Sequence, residues 1–165
     1  MDFSTARRCD LPELIALYRA AIQSMDAQGI PQWDEIYPDR RVIAEDISRG
    51  EMEVGRVGET IAVAFSLELC GEGDYEPANW RYPAPRFVVL HRLCVHPAFQ
   101  GRGIAKEAMD HIEQSVLTRG IHAIRLDAFS RNPAALRLYE SRGYEKAGTI
   151  QYRKGLFYLY EKRLS

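Results

Sequence analysis

Gly101-Arg102-Gly103 stands where an apolar stretch, residues 88–95, gives way to a helical pattern opening at Ile104. Glycines lack a Cβ, so backbone here can approach an anion closely. The start of a helix adds unpaired N–H groups and the positive end of its dipole. That combination holds a phosphate. Two glycines one residue apart also serve an ordinary turn, and the pair alone does not separate the two readings. What it excludes is clearer. No Lys-Ser or Lys-Thr follows the glycines, as a Walker loop requires, and the third glycine of a dinucleotide-binding turn is missing. ATP and NAD are poor ligands for this segment.

The flanking residues narrow the ligand. Gln100, Gly101, Arg102, Gly103, Ile104 and Ala105 read as Gln or Arg, two residues of any type, Gly, any residue, then Gly or Ala. Leu93, Cys94, Val95 and Pro97 precede them as a Leu-x-Val strand followed by proline. Further along come Asn132-Pro133, Ala135, Leu138-Tyr139 and Gly143-Tyr144. In these segments the chain resembles the GNAT family of N-acetyltransferases, whose acyl-coenzyme A signature is the first and whose second signature is the last. The likeness is close over the second half of the chain and extends only to the order of elements before it.

This resemblance implies acetyl-coenzyme A as cosubstrate, no metal, and direct transfer of acetyl to a primary amine of a small molecule or peptide. The amides from Gly101 to Ala105 would hold the pyrophosphate, with Arg102 or Lys106 assisting, although Lys106 also fits a solvated helix face. Leu93, Cys94 and Val95 would bind the pantetheine arm as an added strand does, and the N–H of Cys94 or Val95 would face the oxyanion. Asn132 would bond that arm at the mouth of two splayed strands. Tyr139 matches the family's tyrosine acid, which would protonate the departing thiolate. Its spacing from Leu136 suits a core aromatic as well.

An alkylamine, like lysine, arrives protonated at neutral pH and needs a base. His91 precedes Leu93 by two residues, which on a regular strand puts both side chains on one face. A family member acting on arylalkylamines carries histidine at the matching place. A hydrogen-bonded sheet histidine fits the position equally. Cys94 invites a covalent acyl-cysteine, but a thiol inside an apolar strand usually packs as a small hydrophobe. For the acceptor, residues 28–39 offer Trp33, Asp34, Glu35 and Tyr37, aromatic and acidic groups suited to a cationic amine. Trp33 fits a core position as well. Trp80 and Tyr82, in the stretch 71–85, would form an opposite wall. Another acyl donor, a hydroxyl acceptor or a non-catalytic coenzyme A module are the alternatives these residues leave open.

These groups need a scaffold. Asp10-Leu11-Pro12-Glu13 reads as a capping box opening a helix whose apolar positions recur from Leu14 to Met25, with Gly29 at its end. Asp39 caps a second helix, closed by Gly50. Residues 52–57 and 61–69 predict a hairpin around Gly58-Glu59-Thr60. The loop over 71–85 is long enough to point to function. Residues 87–95 predict a central strand, and Ile104, Ala108, Ile112 and Val116 one stripe of a helix. Residues 121–127 then follow as a parallel strand through a right-handed crossover. A short helix carries Tyr139, and 144–148 pairs with 155–164 in a closing hairpin. The expected fold is α+β, one domain over residues 1–165, with a mixed, mostly antiparallel sheet. The resemblance adds a central splayed parallel pair and helices on both faces.

At 165 residues with a formal net charge of −1, the chain has room for a sizeable core and no general attraction to nucleic acid or anionic membrane. No apolar stretch approaches a membrane span, and residues 1–10 lack a signal core. Cys9, Cys70 and Cys94 are odd in number and far apart, which fits neither a disulfide framework nor a paired metal site. A cytoplasmic enzyme is expected, without nucleic-acid or membrane partners and with a homodimer allowed.

Overall fold

In the computed structural model all 165 residues are described. The chain begins with β1 (Asp2–Thr5), α1 (Leu11–Ala27), α2 (Arg40–Ser48), β2 (Met52–Val57) and β3 (Thr60–Gly71). It continues with β4 (Arg86–Val95), α3 (Ile104–Thr118), β5 (Ala123–Phe129), α4 (Pro133–Ser141), β6 (Glu145–Tyr152) and β7 (Gly155–Arg163). The strands form one mixed sheet in the order β1-β2-β3-β4-β5-β7-β6. β4 and β5 pair parallel, with α3 as their crossover, while β1–β2, β2–β3, β5–β7 and β6–β7 pair antiparallel. The expected α+β arrangement with a central parallel pair is the one that forms.

Apolar pattern explains the central elements. Phe87 through Leu90 are all buried, as a parallel strand covered on both faces requires, and full burial of Phe87 alone stabilises by about 1.5–3 kcal/mol. On α3 the stripe Ala108, Ile112 and Val116 is fully buried. The ladder between β4 and β5 is short: Val88, Val89 and Leu90 face Ile124, Arg125 and Leu126, and the register ends there although β5 continues to Phe129.

Two local expectations need correction. Asp10 and Glu13 do not form a capping box on α1. Asp10 accepts from the Arg7 amide at 2.8 Å and pairs with Arg56 at 2.7 Å, while Glu13 accepts from the Ile61 amide at 2.7 Å. Both carboxylates answer donors on other segments in preference to the helix end. Asp39 does cap α2, accepting from the Val42 amide at 3.0 Å. The strand β1 is additional. It lies against Gly55, where an added Cβ would come within 2.8 Å of Met1 Sδ, Phe3 Cε1 and Val63 Cγ1, so only glycine admits that packing.

The chain divides into two compact units. One comprises Met1–Leu67 with Arg92–Ala108, the other Glu68–His91 with Met109–Ser165. The core of the first gathers Leu14, Leu17, Tyr18, Trp33, Ile43 and Met52 among others. In the second, Cys70, Phe87, Val89 and Ala123 cluster with Tyr75 and Ala84 against them. No helix is long and apolar enough to cross a membrane.

Candidate functional site

The glycine segment belongs to the first unit. His96 Nδ1 accepts from the Ala98 amide at 3.0 Å and so caps a short 3-10 turn, Pro97–Phe99, after which Gln100 is extended. Gly101 and Gly103 take φ of 77° and 74°, the left-handed region that L side chains disfavour. No heavy atom lies within 4 Å of the place a Cβ would occupy at either residue, so the approach is open. The first α3 amide with a helical partner is that of Glu107, which donates to Gly103 at 3.0 Å. The N–H groups of Ile104, Ala105 and Lys106 precede it in the unpaired first turn. Arg102 is exposed, its guanidinium 5.2 Å from the Phe99 ring centre, and Lys106 is exposed too. Open space, free amides, a helix dipole and two cations make this segment fit for a pyrophosphate.

Leu93, Cys94 and Val95 close β4 in the same unit. Cys94 is 4% exposed, and burial pushes its thiol up, so it stays protonated and inert as a nucleophile. Just before it, Arg92 takes φ 55°. A left-handed residue breaks the strict alternation of a strand, so the argument that His91 and Leu93 share a face does not carry across it. Trp33 is in the core, 8% exposed with its ring 5.6 Å from that of Tyr18. Glu35, by contrast, lines a cavity of about 410 Å³ together with Ile15, Tyr18, Arg19, Pro38 and Arg40. Asp34 and Asp39 line it as well but are spent on structure. Asp34 accepts from the amides of Ile36 and Tyr37, and Asp39 caps α2.

The acid–base candidates belong to the second unit. His91 Nε2 is 2.7 Å from Glu68 Oε2, and its ring meets Tyr75 edge-on at 6.5 Å. His91 and Asp127 are the residues that follow the last parallel pair, Leu90 with Leu126. Tyr75 donates to Asp127 Oδ2 at 2.6 Å. Tyr139, on α4, is 7% exposed and packs against Tyr144 and Tyr160 with centroids 5.7 and 6.3 Å away. Seven of the nine tyrosines have a hydroxyl partner in the chain; Tyr139, though buried, does not. Burial first, and Asp127 second, pushes its phenol above the usual tyrosine range. It is a protonated donor with no acceptor in the chain.

Other expected residues have visible local duties. Asn132 accepts from the Ala135 amide at 3.2 Å and caps α4, which commits its carbonyl oxygen. Trp80 donates from Nε1 to the Glu76 carbonyl at 3.1 Å, stacks on Tyr75, and has the Arg125 guanidinium 4.4 Å over its ring. It anchors the 71–85 loop. The sequence reading missed Glu68, Tyr75 and Asp127. Each lies far from its partner in sequence and outside any motif, and only the end of the β4–β5 ladder marks them.

Residues 32–144 match the model of the acetyltransferase (GNAT) family. A GNAT-family acetyltransferase from Streptococcus agalactiae superposes with a TM-score of 0.85 at 21% identity, covering 99% of this chain and 95% of that one. One from Listeria monocytogenes gives 0.78 at 23%, covering 99% and 94%. The PaiA N-acetyltransferase from Thermoplasma acidophilum, solved in complex with coenzyme A, gives 0.74 at 18%, covering 98% of each chain. At these identities the likeness is one of fold.

Proposed function

The chain belongs to the acetyltransferase (GNAT) family, and from that premise we propose that it passes acetyl from acetyl-coenzyme A to a primary amine of a small molecule or peptide. The thioester supplies the acetyl group. The amine nitrogen attacks its carbonyl carbon, the C–N bond forms, the C–S bond breaks, and the thiolate leaves with the bonding pair. Two protons must move, one off the amine and one onto sulfur.

The residues take these duties. The amides of Gly101 to Ala105 and the Arg102 and Lys106 cations hold the pyrophosphate, and Gln100 leads into that turn. Backbone of Leu93, Cys94 and Val95 binds the pantetheine amides, and the Cys94 or Val95 N–H faces the carbonyl oxygen as it becomes negative. Asn132 contributes to the same arm through its amide group. Tyr139 protonates the sulfur. His91 takes the amine proton, with Glu68 holding the ring: when Nε2–H donates to that carboxylate, Nδ1 keeps its lone pair for the proton. Glu35, the cavity carboxylate not spent on capping or turn bonds, receives a cationic acceptor beside the apolar Ile15 and Pro38. Trp33 supports that cavity from the core, and Trp80 holds the 71–85 loop. Both units serve one catalytic domain over residues 1–165, working in the cytoplasm.

The observation that carries this reading is Tyr139, a buried ring whose phenol is held protonated and whose hydroxyl, not itself sealed from solvent, has no partner in the chain. Coenzyme A release measured with acetyl-coenzyme A across cationic, zwitterionic and hydroxyl acceptors tests it. Tyr139→Phe is expected to lower kcat by roughly ten- to a thousandfold while leaving donor binding unchanged. Wild-type turnover in that variant removes the acid assignment. His91→Gln is expected to slow the reaction most on the acid side of the kcat/KM profile, measured with an acceptor whose own ionisation lies outside the range.

A further inference from the structure

Arg92 is the one non-glycine residue of the chain with a positive φ, 55°, and it stands inside a strand. An L side chain disfavours that conformation, so something must hold it there. The holding groups are all in the first unit. Tyr18, 1% exposed, donates its hydroxyl to the Arg92 carbonyl at 2.6 Å. The guanidinium donates from Nε to Asp46 Oδ2 and from Nη2 to Asp46 Oδ1, both at 2.7 Å. Nη1 donates to the Tyr37 hydroxyl at 2.8 Å, and Ser66 donates to Asp46 Oδ2 at 2.8 Å. Asp46 is 2% exposed.

Stability alone does not account for this construction. Withdrawing a carboxylate and a guanidinium from water is costly, and a buried ion pair usually gains little over well-packed apolar residues. Here the pair is used to fix backbone. Side chain and carbonyl of the same residue are both clamped, so the peptide plane that follows Arg92 has one orientation. Because the peptide is trans, the Leu93 N–H points opposite to the Arg92 carbonyl that Tyr18 holds. Tyr18 therefore sets the direction of the Leu93 amide and of the backbone that follows it to Val95.

We propose that Asp46, Arg92 and Tyr18 are positioning residues that aim the Leu93–Val95 backbone at the acyl donor. This rests on the reading that Leu93, Cys94 and Val95 bind that donor. The Tyr37 contact extends the clamp to the segment bearing Glu35, so the cavity-lining loop and the donor strand share one anchor. None of the three clamp residues needs to touch the reacting atoms.

The test uses Tyr18→Phe, which removes one hydroxyl and keeps the ring against Trp33, and Asp46→Asn, which keeps shape and removes charge. At saturating acceptor, kcat is expected to fall by roughly ten- to a hundredfold in both, the range a small misplacement of reacting groups produces. Acetyl-coenzyme A affinity by calorimetry falls by less than kcat does, because the glycine segment that holds the pyrophosphate is untouched while the Leu93–Val95 contacts loosen. Amide hydrogen exchange at Leu93 and Cys94 accelerates, while the amides of α3 do not change. A folded Tyr18→Phe with wild-type kcat overturns the proposal, and so does a loss of kcat with unchanged exchange at Leu93 and Cys94. A purely structural clamp lowers the melting temperature and leaves kcat intact, which also overturns it. The exchange arm is read without substrate. If the wild-type chain transfers no acetyl group, the function reading fails, and unchanged exchange in the variants then overturns the clamp separately.

Discussion

Arg92 in the first unit and Arg125 in the second are both withdrawn from water, yet they are satisfied in opposite ways. The Arg92 side chain, 12% exposed, makes charge-assisted bonds along its whole fork. Burial alone would lower its affinity for the proton; Tyr37 and Asp46 more than reverse that. Arg125, 7% exposed, lies between the faces of Phe87 and Trp80 at 4.0 and 4.4 Å, and donates once, to the Tyr82 carbonyl at 3.2 Å. Its Nε has no partner, and burial lowers it with Glu161 opposing. Glu161, its register neighbour on β7, gives its own oxygens to the Arg81 and Tyr82 amides at 2.6 and 3.4 Å. A guanidinium bonded edge-on fixes the direction of a backbone. One held by its faces anchors a loop and leaves direction loose.

Substitution separates the two most strongly. Arg92→Met leaves Asp46 buried and uncompensated, and is expected to cost about 3–5 kcal/mol of stability. Arg125→Met keeps an apolar filler between the two rings, and Glu161 keeps its backbone donors, so about 1–2 kcal/mol is expected. Denaturant unfolding of both variants checks the ranking, and equal losses would dissolve the distinction. A smaller effect is expected in the glycine segment, where direction is set by backbone alone. Gly103→Val forces a β-branched residue toward φ 74° and should weaken acetyl-coenzyme A binding at least about tenfold, about 1.4 kcal/mol, with the fold kept. Unchanged calorimetric affinity would take the pyrophosphate away from this segment. Glu35→Gln should do less, raising the KM of a cationic acceptor by roughly three- to tenfold with donor affinity unchanged, about the size of one partly exposed charge pair. An effect on the donor alone would place the acceptor elsewhere.

Alkali extends the comparison to the tyrosines. Tyr18 in the first unit and Tyr75, Tyr139, Tyr144 and Tyr160 in the second are raised, in each case first by burial. Raised values mean that the unfolded chain releases these protons first as pH climbs. Their stabilisation is therefore complete below the ordinary tyrosine value of about 10 and is lost progressively above it. Tyrosinate absorbance should show these five ionising only as the chain unfolds. All nine titrating together in the folded state would contradict their burial.

Much of this was legible in the sequence because it rests on short-range signals. Gly101 and Gly103 before a helical stripe, Asp39 three residues before Val42, and the apolar run at residues 87–90 each act within a few positions. The misses are long-range. Asp10 and Glu13 had the right spacing for a cap, but Arg56 and the Ile61 amide, about fifty residues on, are stronger claimants. Arg92 sits between His91 and Leu93 in what reads as a regular strand, and nothing local announces its positive φ. It follows from Asp46 and Tyr18. Glu68 and Asp127 become visible only where the β4–β5 ladder stops. Trp33 fits both a core and a pocket position by sequence, and its ring packs in the core against Tyr18.

The three thiols give the chain a practical handle. Cys70 and Cys94 are buried and Cys9 is exposed, so a maleimide dye added to the folded protein attaches once, at Cys9. A thiol-trapping colour reagent used to follow coenzyme A release meets a constant background of one sulfur per chain, and a jump to three reports unfolding in the same cuvette.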